Sequence, residues 1–380
     1  MERKIRFLFI VQGEGRGHLT QAISLAGILR RHGHEVVETL VGKSHSRELP
    51  AFFHEKMDTS VQTYDAPSFI FGKDGKHIDL LKTLLHNASP QKLKTYAKSI
   101  ELIYRRIREL APDMVINFYE ILPGFTQLRF RIDVPFVHIG HQYMLRHPDY
   151  MNGRGDPLML LRLHALLCSI GATKILALSF YPMKSYPRER VVVVPPLLRK
   201  EVLDLQPSTG DYILGYMLNQ GYENEIRAWH KKHPEVQMHF FWDRRDAPAV
   251  WEVDETLTLH TIDDESFLKY MAGCCGYITT AGFESVCEAL YLDKPVMMIP
   301  AHIEQEVNAA DAVSIHGGTV GKKFDLSVLL AYMDEKRSFQ ASAFQEWIRS
   351  SEKVFMEQLT SVLTGVPSGG TGQKHADSAD

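Results

Sequence analysis

The chain has 380 residues and a formal net charge of −3 at pH 7, and hydrophobic residues make up 44% of it. This length exceeds one ordinary hydrophobic core and suits about two domains, while the composition excludes disordered and fibrous classes. The near-neutral charge removes any whole-chain basis for nucleic-acid binding. The apolar stretch Phe7–Val11 is too short for a signal peptide or a membrane span. Together with four cysteines that lack metal-ligand spacing, this predicts a cytoplasmic protein.

Strand-length apolar runs alternate with helical patterns along the first half. Leu19–Arg31, for example, repeats its apolar residues with a helical period. The strands are continuously apolar rather than alternating, which is typical of a parallel sheet covered on both faces. The predicted strands are Ile5–Val11, Glu35–Val41, Met114–Phe118, Phe136–Gly140, Ile175–Ala177 and Val191–Val194.

The same alternation restarts after a proline-rich connection near residues 195–207. The predicted strands of this second half are Tyr212–Met217, Met238–Trp242, Leu257–His260, Tyr277–Thr280 and Val296–Pro300. We therefore predict an α/β protein with two Rossmann-like domains, over residues 1–200 and 208–340. A C-terminal helix is expected over 341–364, with packing against the first domain left open. The Gly/Ser-rich tail 365–380 is predicted to be disordered.

A glycine-rich turn, Gly13-Glu-Gly-Arg-Gly-His18, follows the first predicted strand and opens the first helix. It matches neither the dinucleotide fingerprint nor the P-loop. A histidine at a helix N-terminus has its charged form disfavoured by the helix dipole, which leaves a neutral base at pH 7. His18 is therefore either a base that deprotonates a hydroxyl or a residue that merely caps the turn.

The densest signal in the second half is the stretch 279–288, predicted to be a strand, a tight turn and a helix. Open N–H groups from Gly282 to Ser285 suit a phosphate. Glu288, one helical turn further, suits two hydrogen bonds from a diol such as ribose. This spacing fits a nucleotide diphosphate, and a solvated polar helix face is the alternative.

This stretch resembles the C-terminal domain of family 28 glycosyltransferases of GT-B type, a family that includes the N-acetylglucosaminyltransferase of lipid II synthesis. Ala281-Gly-Phe283 resembles the family's Ser-Gly-Ala turn, Glu288 its ribose-binding Glu, and Gln305 and Asn308 its Gln-x-x-Asn contacts to the donor sugar. The resemblance implies parallel sheets that face each other across a cleft.

Looser similarity extends over residues 5–320. It implies that Ile262 frames a uracil, that Arg199 approaches the diphosphate, and that His18 lies near the acceptor. His141 and Gln142 fall in the family's acceptor-side run. The segment 215–221 lacks the family's Gly-Gly-Ser pair, so Asn219 or backbone amides are expected to grip the diphosphate instead.

The predicted site is therefore divided between a catalytic base, His18, and two sets of binding residues. The predicted acceptor-binding residues are Gly15, Arg16, Gly17, His141 and Gln142. The predicted donor-binding residues are Arg199, Asn219, Ile262, Ala281, Gly282, Phe283, Glu284, Ser285, Glu288, Gln305 and Asn308.

The predicted reaction is an inverting transfer of a hexose or N-acetylhexosamine from a nucleotide-sugar, UDP-linked by resemblance, to a hydroxyl acceptor. The sequence has no Asp-x-Asp, so no metal is expected, and the nucleotide-sugar is a substrate rather than a cofactor. The resemblance places such a reaction in cell-envelope polysaccharide synthesis. The alternatives are a non-hydrolysing UDP-sugar epimerase and a degenerate nucleotide-sugar-binding protein.

Residues 77–111 carry seven basic against three acidic side chains, together with several leucines. One interpretation is a peripheral contact with the inner face of a membrane, which would suit a lipid-linked acceptor. The other is a helix whose leucines enter the core and whose lysines are solvated.

Overall fold

The computed structural model describes residues 3–44, 48–68, 70, 80–152, 158–216, 222–242, 244, 247–335 and 338–365. Asn219, most of the 215–221 loop and the tail beyond residue 365 lie outside these ranges. The predictions made for them therefore have no structural counterpart here.

The first domain contains a seven-stranded, wholly parallel sheet in the order β3-β2-β1-β4-β5-β6-β7. Its strands are β1 (Arg6–Gln12), β2 (Glu35–Lys43), β3 (Val61–Asp65), β4 (Met114–Phe118), β5 (Phe136–Gly140), β6 (Lys174–Leu178) and β7 (Val191–Val194). The central strands β4 and β5 are buried along their whole length, as their continuous apolar sequence predicts.

Helices connect these strands. They are α1 (Arg16–Arg31), α2 (Ala51–Met57), α3 (Leu80–Asn87), α4 (Pro90–Leu110), α5 (Leu122–Arg129), α6 (Pro148–Met151) and α7 (Met159–Cys168), with 3-10 helices at His141–Arg146 and Pro187–Glu189. Helix α1 ends where Gly33 adopts a φ of 76°, the left-handed conformation that glycine accepts without a Cβ clash.

The second domain repeats the architecture with a seven-stranded sheet in the order β10-β11-β9-β8-β12-β13-β14, parallel except for β10. Its strands are β8 (Tyr212–Tyr216), β9 (Gln237–Trp242), β10 (Val250–Glu252), β11 (Leu257–Thr261), β12 (Gly276–Thr279), β13 (Val296–Met298) and β14 (Thr319–Val320). Its helices are α8 (Lys200–Asp204), α9 (Glu223–His230), α10 (Asp264–Gly273), α11 (Phe283–Tyr291), α12 (Ile303–Ser314) and α13 (Leu326–Asp334). The predicted α/β fold with two Rossmann-like domains is confirmed.

The predicted single C-terminal helix over 341–364 is two helices, α14 (Ala341–Arg349) and α15 (Ser351–Thr364). They separate at Ser350, whose hydroxyl donates to the Trp347 carbonyl and so competes with the helical hydrogen bonds. Both helices contact the first domain: Trp347 Nε1 donates to the Ser179 carbonyl, and Lys174 Nζ donates to the Gln358 side chain at 3.0 Å.

In each sheet the chain first adds strands on one side of the first strand and then crosses to add the remaining strands on its other side. In the first domain this crossing point lies between β1 and β4, and in the second between β8 and β12. Parallel α/β proteins bind ligands in the crevice at the carboxyl ends of such strands. The glycine-rich turn before α1 and the turn before α11 both lie at these points.

Candidate active site

His18 lies in the first turn of α1 and is buried in the contact between the domains, with 7% of its surface exposed. Its ring stacks on Tyr119 at a centroid distance of 5.7 Å, and its Nδ1 lies 3.3 Å from Gln21 Oε1. Burial lowers the pKa of His18 because the charged imidazolium loses solvation, and this outweighs the opposing effect of the Glu304 carboxylate. The neutral histidine expected from the sequence thus has burial as its main cause.

Tyr119, which supports His18, follows β4 and has a φ of 57°. Bulky residues rarely adopt this left-handed conformation. Asn117 holds the turn, because its side-chain amide donates to the Glu120 carbonyl and its Oδ1 accepts from the Glu120 backbone N–H. The backbone is therefore constrained next to the candidate base, as is common at functional sites.

The turn before α11 has an unusual conformation at Ala281, where φ is 65°. The left-handed residue is therefore Ala281 and not the adjacent Gly282, which has an ordinary φ of −63°. Asn308 on α12 donates from Nδ2 to the Ala281 carbonyl at 2.9 Å, and Gln305 donates from Nε2 to Thr280 Oγ1 at 3.3 Å. The two predicted sugar-contacting amides thus brace the turn.

Helix α11 begins against the first domain. The Phe283 ring stacks on His141 at 4.1 Å between centroids and meets Phe180 edge-on at 4.8 Å. Glu284 accepts a hydrogen bond of 2.6 Å from Gln21 Nε2, and a Cβ on Gly17 would lie 3.3 Å from Glu284 Cγ. The predicted donor-binding and acceptor-binding turns therefore meet directly.

The polar residues of α11 do not form a solvated face. Glu284 and Glu288 are buried, and burial raises the pKa of Glu284 to about 8. Ser285 alone on α11 is not buried, and its hydroxyl donates back to the Gly282 carbonyl. The alternative of a solvated polar helix face is therefore wrong.

Arg199 and Glu288 bind each other. Nε and Nη2 of Arg199 donate to the two Glu288 carboxylate oxygens at 2.6 and 2.7 Å, and Nη1 also pairs with Asp264. Both side chains are buried, with 5% and 2% of their residue surfaces exposed. The structure thus pairs two residues that were predicted to contact different parts of the nucleotide.

A narrow cavity between the domains lies beside this turn. Polar atoms on its wall include Asn308 Oδ1 and Gln142 Oε1, which are buried and have no hydrogen-bond partner within the described ranges. Gln142 Nε2 donates to Glu304 Oε1 at 2.8 Å, and His141 Nε2 lies 3.2 Å from Asp311 Oδ2. Two residues that line the cavity therefore carry buried acceptor atoms that a hydroxyl donor would satisfy if the cavity widened.

The remaining predicted residues lie at the edges of the cleft. Gly15 is the N-cap of α1 and has no side-chain cap, and Arg16 extends over the Phe52 ring at 5.9 Å. Ile262 follows β11 at the carboxyl edge of the second sheet, where its N–H donates to the Trp242 carbonyl. Gly15 and Arg16 thus lie beyond the carboxyl end of β1, and Ile262 lies at that of β11.

Sequence reasoning missed three residues next to the candidate base: Gln21, Tyr119 and Glu304. Gln21 lies one helical turn after His18, so helical spacing gave a signal for it. Glu304 immediately precedes Gln305. The motif resemblance selected Gln305 and gave no reason to select Glu304. Tyr119 gave no sequence signal, because its role depends on the left-handed turn after β4.

Two kinds of feature are absent from the described part of the chain. No group of three or more His, Cys, Asp or Glu side chains there is arranged to hold a metal ion. None of the helices in the described ranges combines the length and apolar character needed to cross a membrane.

The sequence of residues 5–333 matches the family model for glycosyl transferase family 1. The chain belongs to this family. It is a transferase with the GT-B fold, and the enzyme class predicted from the sequence is confirmed. Among curated proteins, none matches the sequence significantly.

Solved structures similar to this family 1 chain share its fold at low sequence identity. LpCGTa in complex with UDP has a TM-score of 0.64 at 13% identity, covering 95% of this chain and 100% of that one. The calicheamicin glycosyltransferase CalG4 has 0.63 at 17%, covering 96% and 100%. Phytolacca americana UGT2, complexed with UDP-2fluoro-glucose and pterostilbene, has 0.63 at 14%, with the same coverage.

Proposed function

We propose that this family 1 glycosyltransferase transfers a hexose or N-acetylhexosamine from a UDP-sugar to a hydroxyl acceptor, with inversion and without a metal. The observation that carries the proposal is the direct meeting of the two turns, in which Gln21 of the His18 helix binds Glu284 beside the Gly282 turn. UDP in LpCGTa and UDP-2fluoro-glucose in UGT2 support the choice of nucleotide.

In this proposal, His18 removes the proton of the acceptor hydroxyl as the hydroxyl oxygen attacks the anomeric carbon. The bond from that carbon to the diphosphate breaks, and UDP leaves toward the N-terminus of α11. The backbone N–H groups at the start of α11 and the dipole of this helix stabilise the negative charge on the departing UDP. The buried cleft excludes water and so limits hydrolysis of the donor.

His18→Ala tests the base assignment. We expect kcat to fall at least about 100-fold, because general-base catalysis contributes about 10² to 10⁴, while the Kd for the donor changes less than about threefold. Turnover with a panel of nucleotide-sugars and calorimetric UDP binding measure the two effects. His54→Ala on α2 is the matched control and should change neither; equal losses in kcat and donor affinity at His18 would reject its role as base.

The two alternative functions have distinct signatures in the same assay. An epimerase converts its UDP-sugar without any acceptor, and a degenerate binding protein binds the donor without transfer. The family match over residues 5–333 supports transfer over both. Incubation with donor alone therefore serves as the discriminating reaction.

The closer assignment to family 28, with a cell-envelope acceptor, is the finer part of the proposal and is supported by the motifs around Gly282 and Glu288.

In the segment 77–111, α4 buries Tyr96, Ile103 and Ile107 while Leu93 stays 55% exposed. Residues 77–79 lie outside the described ranges. The rest of the segment, α3 and α4, would meet a membrane if the acceptor is lipid-linked, and co-sedimentation with anionic vesicles is the measurement that decides it.

A further inference from the structure

A hydrogen-bonded chain of three side chains crosses from one domain to the other at the candidate base. His18 Nδ1 lies 3.3 Å from Gln21 Oε1, and Gln21 Nε2 lies 2.6 Å from Glu284 Oε1. Gln21 and Glu284 are 2% and 8% exposed, so bulk water does not compete for these bonds. The reaction proposed above assigns no chemical step to Gln21.

The chemistry of the amide fixes the direction of this chain. In the structure the Gln21 NH₂ group faces Glu284 Oε1, which accepts either as a carboxylate oxygen or as the carbonyl oxygen of the protonated acid. The opposite atom of the same amide is then the carbonyl oxygen, which only accepts. His18 Nδ1 must therefore carry a proton, and Nε2 keeps its lone pair as the basic atom.

We propose that Gln21 and Glu284 form an interdomain relay that selects the basic tautomer of His18 and fixes the orientation of its ring. Gln21 is a positioning residue, and Glu284 acts through it from the opposite domain. This inference rests on the proposed function for its kinetic consequence, but the tautomer itself can be measured without any reaction.

Packing makes the relay depend on contact between the domains. Gly17 leaves room for Glu284, because a Cβ there would approach Glu284 Cγ to 3.3 Å. Phe283, the neighbour of Glu284, is stacked on His141 of the first domain. The orienting bond therefore exists only while α11 is seated against α1, and an open cleft leaves the Gln21 amide free to turn over.

Other titratable groups face His18 without replacing the relay. Tyr119 stacks on the ring, and burial raises the pKa of its phenol well above the usual value. Glu304 of α12 favours the imidazolium through its charge and is itself bonded by Gln142. His164 lies behind Tyr119, with Nδ1 at 3.1 Å from the phenol oxygen. The contact to a ring nitrogen of His18 comes from Gln21, whose Oε1 lies 3.3 Å from Nδ1.

Gln21→Met and Glu284→Met test the relay, since methionine preserves length and removes the polar atoms. Nitrogen-15 shifts of the His18 ring, assigned by their absence in His18→Ala, report the tautomer directly. We expect the Nδ1–H form in the parent protein and a mixture of tautomers in both variants. A parent His18 protonated at Nε2, or unchanged shifts in Gln21→Met, would overturn the proposal.

Kinetics supply the second measurement. We expect kcat to fall about tenfold in each variant with donor KM within about threefold, and the double variant to lose no more than the worse single one, because the residues act in series. Losses that multiply in the double variant, or an increased donor KM in Glu284→Met with a normal tautomer, mean that Glu284 acts on the donor, and they overturn the relay.

Gln358→Met is the matched control. Gln358 is another buried glutamine, 9% exposed, and its amide bonds Lys174 on the far side of the first domain. It should lower stability without changing the His18 tautomer or kcat. If His18→Ala leaves kcat unchanged, the proposed base fails, yet the nitrogen-15 shifts still decide whether the relay exists.

Discussion

At the scale of single residues, burial raises the pKa of the carboxyl groups of Glu120 and Glu284 near the cleft. Glu120, directly after Tyr119, is 2% exposed, and burial raises its pKa to about 8 against the opposing hydrogen bonds from backbone N–H groups. Its Oε1 accepts from the Leu122 N–H at 3.2 Å. A neutral carboxyl is therefore the stable form of Glu120 in the folded protein at and below neutral pH.

Glu120→Gln should reduce the loss of stability as pH rises. The folded protein keeps the Glu120 proton up to about pH 8, whereas the unfolded chain releases it near pH 4. The free energy of unfolding therefore falls with increasing pH in that window, by up to about 1.4 kcal/mol per pH unit, and levels off above it. Thermal unfolding between pH 5 and 8 measures how stability changes with pH. The control variant Glu55→Gln, at an exposed site, should show the same pH dependence as the parent protein. If Glu120→Gln also showed the parent's pH dependence, the raised pKa of Glu120 would be contradicted.

At the scale of elements, the pair Arg199–Glu288 joins the start of α8 to the middle of α11. Arg199 is the N-cap residue of α8, and its guanidinium also pairs with Asp264 in the first turn of α10. Lys56 of α2 extends the network to Asp264 at 2.7 Å. This charged network therefore connects the second domain to the interdomain segment and the first domain.

Arg199→Met should destabilise the protein by roughly 3 kcal/mol or more, because it leaves the buried Glu288 carboxylate without its guanidinium partner, whereas Asp264 keeps Lys56. Replacing the pair together, as Arg199→Met with Glu288→Leu, should recover part of the loss, since it removes one unpaired charge. Urea unfolding of the single and double variants measures this. A double variant that is less stable than Arg199→Met would contradict the explanation.

The same pair tests the predicted ribose contact. If Glu288 also binds the ribose, Glu288→Gln weakens UDP binding more than about tenfold, because an amide replaces one acceptor with a donor. Asp264→Asn is the control, since it perturbs the same network without altering Glu288. Unchanged UDP affinity in Glu288→Gln would limit Glu288 to holding Arg199.

At the scale of the whole molecule, one apolar cluster runs through both domains. It extends from β1 through Phe180 and Phe283 into α11 and on to Phe344 and Phe355 of the C-terminal helices. The two domains therefore share buried surface, and the C-terminal helices cover both. Their relative position depends on packing as well as on the connecting chain.

Phe283→Ala should open the cleft, because it removes the ring that stacks on His141 and meets Phe180. We expect a larger radius of gyration by X-ray scattering and faster amide exchange at the start of α1. Phe283→Leu retains most of the apolar volume and should remain closer to the parent. The same radius of gyration and exchange in Phe283→Ala as in the parent would show that this contact does not hold the domains together.

The local pattern of residues was sufficient to predict most helices and strands, but it was insufficient to predict the strands at the edges of the two sheets. Continuously apolar β4 and β5 were predicted within a residue. The edge strand β3, Val61–Asp65, was missed because its half-buried, partly polar sequence lacks a strand signal. Strand β14 was missed because two residues carry no periodicity.

The sequence by itself determined the two α/β domains, the glycine turn before α1, and His18 and Glu288 as notable residues, because these depend on short-range periodicity and spacing. Only the tertiary structure decided which groups meet. Gln21 and Glu284 are 263 residues apart, and Arg199 and Glu288 are 89 apart. Whether a buried carboxylate binds an amide, a guanidinium or a ribose depends on domain packing, which local sequence does not encode.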